Sequence, residues 1–80
     1  MKIPAIKRLV ESQTLDALVE AEAALLDEQQ PAFAVEGEDE GEQLTHVFAA
    51  IFILNHIQDT GADFKDALRE YTKKVRVSIS

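Results

Sequence analysis

Eighty residues, 46% of them apolar and none a cysteine, are enough for one small domain over 1–80 and too few for separate cofactor and substrate halves. Thiolate metal sites and a disulfide frame are excluded outright. The formal net charge of −7 is unevenly laid out: residues 1–8 carry +3, residues 9–64 hold thirteen acids and no Lys or Arg, and residues 65–80 return to +3. So acidic a body repels phosphates, which disfavours nucleic acid as a partner.

Met1 to Arg8 has neither a long apolar core nor a small-residue cleavage site, so no signal peptide is expected. Together with the lack of cysteine this points to the cytoplasm. Pro4 suits a first helical position, and Ile6, Leu9 and Val10 continue an apolar stripe, predicting a helix over 4–11. Thr14 reads as the N-cap of a second helix over 15–29, with Asp16 favouring its dipole and Pro31 stopping it. Its apolar face is Leu15, Leu18, Val19, Leu25 and Leu26, and Glu22 falls in the middle of that face.

Residues 32–36 are too short for a helix and read as an extended piece. An acidic loop follows, with Glu36, Glu38, Asp39, Glu40 and Glu42 around Gly37 and Gly41. Asp39-x-x-Glu42 has capping-box spacing, so the third helix is predicted over 40–60 with Gly61 as its stop. That helix carries two apolar stripes. The broader one, Leu44, Val47, Phe48, Ile51, Phe52 and Leu54 with Asn55 at its centre, is expected to face the core. The narrower one, Ala50, Ile53 and Ile57 with His46 beside it, lies nearly opposite and is the expected interface with a second copy. Its run from Val47 to Leu54 is far below the ~20 apolar residues of a membrane span, so no membrane association is expected. Asp63 caps a fourth helix over 63–76, whose face is Phe64, Ala67, Leu68, Tyr71 and Val75. The alternating close, 75–79, is expected to leave that helix as a strand pairing with 33–35 of the same chain or of a second copy.

The acidic loop fills half of a calcium-loop frame: Glu36, Glu38 and Glu40 take positions 1, 3 and 5, and Gly41 takes position 6. Position 12 is Val47, where a bidentate Glu belongs, and no helix leads in. The loop is therefore read as solvated acids loading a helix amino terminus. Glu42 and His46 stand one turn apart and make half of a metal site that a twofold dimer would complete. A histidine beside an apolar strip is more often a boundary residue, so no metal and no cofactor is expected. Glu22 and Asn55, each in mid-stripe, are candidates for a shared buried pair. Serines 12, 78 and 80 lie in a turn and at the tail, with no nucleophile arrangement and no phosphate loop. An enzyme is not expected.

Residues 31–47, from Pro31 through the acidic run to His46 and Val47, resemble the signature stretch of a family of short, uncharacterised bacterial proteins. The opening 1–7 and the close 71–76 resemble it too, so the similarity spans the chain. The resemblance implies a small cytosolic bacterial protein and carries over no catalytic or binding residue.

The expectation is an all-α, four-helix domain acting as a non-enzymatic interaction protein, a homodimer in which basic ends of one chain meet the acidic middle of the other. The alternative is an acidic mimic that blocks the basic, nucleic-acid-binding surface of another protein.

Overall fold

The computed structural model describes residues 2–79, with side chains through Val75. Helix α1 (Ile3–Ser12) has Pro4 in its first turn, where a missing N–H costs no hydrogen bond, and buries Ala5, Ile6 and Leu9. Helix α2 (Leu15–Leu26) begins as predicted, the Thr14 hydroxyl accepting from the Ala17 N–H at 3.1 Å.

It ends three residues before the predicted stop. Glu28 adopts the left-handed conformation (φ 59°), the Gln29 N–H donates to the Ala24 carbonyl at 2.8 Å, and the Glu28 N–H donates to that of Leu25 at 3.2 Å. Those two bonds close the helix before Pro31 is reached. A glutamate in that conformation carries a Cβ penalty that glycine avoids. Glu28→Gly is therefore expected to raise stability by about 0.5–1 kcal/mol, the relief being partly offset by a freer unfolded chain. A urea melt with an unmoved or lower midpoint contradicts this.

Residues 31–37 alternate as an extended segment does. Pro31, Phe33, Val35 and Gly37 are half-buried; Ala32, Ala34 and Glu36 are exposed. No strand pairs with it among the described residues. Helix α3 (Glu40–Thr60) starts at Asp39, whose carboxylate accepts from the Glu42 N–H at 2.8 Å. It stops at Gly61, which is left-handed (φ 74°) and returns its N–H to the Ile57 carbonyl. Asp63 accepts from the Asp66 N–H at 2.9 Å and opens α4 (Phe64–Ile79).

The strand expected over 75–79 does not form; the backbone is helical through Ile79. Val75 and Ile79 also sit four and eight residues after Tyr71. The period-two pattern thus doubles as a helical one, and extending an existing helix is easier than nucleating a strand.

Helices α1, α2 and α4 each pack on α3, which forms the middle of the domain. The core is Ile6 and Leu9 of α1, Leu18, Ala21 and Leu25 of α2, Val47, Ala49, Ala50 and Ile53 of α3, and Ala67 of α4. Burying each of the large aliphatic side chains contributes about 1.5–3 kcal/mol.

This arrangement inverts the two stripes of α3. The narrow strip predicted as an interface is the packed side: His46, Ala50 and Ile53 are fully buried and Ile57 is half-buried. The broad stripe predicted as core is half-buried at Leu44, Ile51, Phe52 and Leu54, exposed at Phe48, and buried only at Val47. Close helix packing, with axes ~8–10 Å apart, explains the choice. Three helices can approach α3 closely only where its residues are small, as Ala49 and Ala50 are. The side carrying Phe48 is left open instead.

Candidate functional site

His46 is the one buried polar or charged side chain among the described residues, and both of its ring nitrogens are engaged. The Lys2 backbone N–H, just before α1, donates to Nε2 at 2.9 Å; Nδ1 lies 2.7 Å from the Glu36 carbonyl oxygen in the linker. An amide can only donate and a carbonyl can only accept. The proton is therefore on Nδ1 and the ring is neutral. One side chain ties the start of α1 and the middle of the linker to α3.

Glu36 is held a second time. Its carboxylate takes a two-pronged contact from the Arg8 guanidinium of α1, with both N–O distances 2.6 Å. The paired hydrogen bonds lower the Glu36 carboxyl below the ordinary carboxylate range and raise Arg8 further. Nothing at sequence level pairs residues 8 and 36. Only the fold brings that cation to the loop.

Glu42 departs from the capping-box geometry. Its N–H meets Asp39, but its side chain turns toward the interior, where Oε1 is buried without a hydrogen-bond partner, 4.0 Å from His46 Nε2. Both ring nitrogens being occupied, the Glu42–His46 pair offers no imidazole lone pair to a metal. Among the described residues no three His, Cys, Asp or Glu side chains gather as a metal site. The remaining loop acids, Glu38, Asp39 and Glu40, are exposed, and Asp39 is spent on the cap.

The proposed core pair is also corrected. Asn55 is exposed because it lies opposite the packed side of α3, and Glu22 is half-buried because it lies beside the packed side of α2. In α2 the packed side is Leu18, Ala21 and Leu25, leaving Val19 (47% exposed) and Leu26 (60%) outside. Phe48 of α3 is 46% exposed. These three, with Val75 of α4 (38%), are exposed large apolar side chains that sequence reasoning placed on inward faces. The alanines opposite them were the available signal.

At the α3–α4 seam Phe52 stacks on His56 (centroids 6.2 Å apart) and meets Tyr71 at a tilt (5.5 Å), with Lys74 Nζ 5.9 Å from the Phe52 centroid. Burial raises the Tyr71 phenol above its ordinary range. A cation therefore stands at the margin of the exposed α3 stripe.

The chain belongs to DUF6952, a family of unknown function, whose model matches residues 1–80. That bears out the resemblance noted in residues 31–47 at the level of the family. No curated protein and no solved structure matches the chain. No helix among the described residues is long and apolar enough to cross a membrane.

Proposed function

We propose that this member of a family without an assigned activity is a non-enzymatic interaction protein that pairs with a second copy of itself through the outward face of α2 and α3. The observation that carries the reading is the exposure of Val19, Leu26 and Phe48, continued by half-buried Leu15, Leu44 and Ile51. Leu25 and Glu28 at the end of α2 share a cleft with Glu40 and Gln43 at the start of α3, so the two helices run antiparallel. The stripe 15, 19, 26 of α2 and the stripe 44, 48, 51 of α3 then serve as the two halves of the pairing face. Contiguous exposed faces of this kind mark interaction sites.

Charge favours a second copy as the occupant. A twofold axis lying in the plane of that face and parallel to α3 lays α2 of one chain over α4 of the other. Helix α2 carries Asp16, Glu20 and Glu22 with no base, whereas Lys65, Arg69, Lys73 and Lys74 of α4 outnumber Asp66 and Glu70. The acidic middle then meets a basic end, as complementary interfaces require.

Sedimentation equilibrium of the full chain from low to high micromolar concentration tests this. A dimer is expected that weakens with added salt, and Phe48→Asp is expected to be monomeric with the helical circular dichroism of the parent. A parent chain that stays monomeric at high micromolar concentration overturns it. Should that monomer retain a basic nucleic-acid-binding protein at low salt, the exposed carboxylates Glu38, Asp39 and Glu40 favour the acidic-mimic reading instead.

A further inference from the structure

From the two bonds at the His46 ring and the unpaired carboxylate oxygen beside it, we infer that His46 is a proton-operated latch on the start of α1. In the neutral ring Nε2 accepts from the Lys2 N–H and Nδ1–H donates to the Glu36 carbonyl. A proton added at Nε2 sets one donor against another, and the Lys2 contact is lost. The contact to Glu36 is untouched, because Nδ1 already carries its hydrogen.

The protonated ring has a new partner in place. Glu42 Oε1 lies 4.0 Å from Nε2, buried and without a hydrogen bond. A displacement of about 1 Å brings the pair into the range of a charge-assisted hydrogen bond. Protonation thus exchanges the Lys2 amide for the Glu42 carboxylate, so the chain ahead of α1 is released while the linker stays attached. The other charged groups around the ring are Glu36, occupied by Arg8, and the Lys2 side chain, both outward at exposed residues. Glu42 is the carboxylate placed to answer the imidazolium.

The sign of the response follows from that exchange. The latched arrangement is complete where the ring is neutral and is lost where Nε2 takes up a second proton, so acid opens the latch and base closes it. This account does not depend on self-association.

Nitrogen-15 NMR of the full chain, titrated from about pH 8 to about pH 5, tests it. At high pH the ring is expected to show the tautomer protonated at Nδ1. On acidification the Lys2 amide resonance is expected to move with the same midpoint as the His46 ring, while the amides of Val47 and Ile53 hold their positions. Glu42→Gln keeps an acceptor but removes the charge, so its shared midpoint is expected at lower pH than in the parent. The latch is overturned if His46 titrates while the Lys2 amide stays fixed, if the ring charges only as the whole chain unfolds, or if Glu42→Gln leaves the midpoint where it was.

Discussion

Ile53→Ala is expected to lower the unfolding free energy by about 2–5 kcal/mol, the range for deleting a fully buried aliphatic side chain that leaves a cavity. Ile53 has no exposed surface and sits on the side of α3 against which the other helices close. A domain of this size has a total stability of roughly 5–15 kcal/mol, and each kcal/mol moves its Tm by about 4–8 °C, so the loss is a large share of the whole. Phe48→Ala provides the contrast. Nearly half of that side chain is already in water, and its truncation is expected to cost about 1 kcal/mol in the monomer. Thermal melts of the two variants at one low protein concentration decide between the stripes, low concentration being needed because association adds to apparent stability. If Phe48→Ala proves the more damaging, the packing described for α3 is wrong.

His46→Leu is expected to cost about 2–4 kcal/mol although it replaces a polar core residue with an apolar one of similar bulk. The reason lies in what it leaves behind. The Lys2 N–H and the Glu36 carbonyl both lose their partner on the ring; each such part-buried bond contributes about 0.5–1.5 kcal/mol net, and more where the new side chain keeps water from the orphaned group. Because those two groups belong to the start of α1 and to the linker, the damage should be spread unevenly. Hydrogen exchange is expected to quicken in residues 2–6 and in 33–37 before it does in the middle of α3. Uniform loss of protection, or a variant as stable as the parent, contradicts the tether.

The helix starts and the stop of α3 were legible because each is set by a few adjacent residues. Thr14, Asp39 and Asp63 cap with their own side chains, and Gly61 supplies the left-handed turn. Such contacts span three or four residues, so reading them needs no knowledge of the rest of the fold. The extended character of 32–36 was legible for the same reason. The stop of α2 was not, because it uses Glu28 in a conformation where glycine is the usual occupant.

Which side of α3 faces inward was beyond local reading. The helix is apolar around its whole circumference, and both of its stripes satisfy a helical period. Periodicity names the faces of such a helix without ranking them. The ranking came from three neighbours that approach most closely where Ala49 and Ala50 leave room. The same holds for the node at His46: its partners lie 44 and 10 residues away, and Arg8 reaches Glu36 across 28. Composition, caps and spacing thus specified four helices, their starts and the stop of α3, since those depend on interactions within a turn or two of chain. The inward face, the neutral tautomer of His46 and the exposed apolar surface depend on segments far apart in sequence, and only the tertiary packing brings them together.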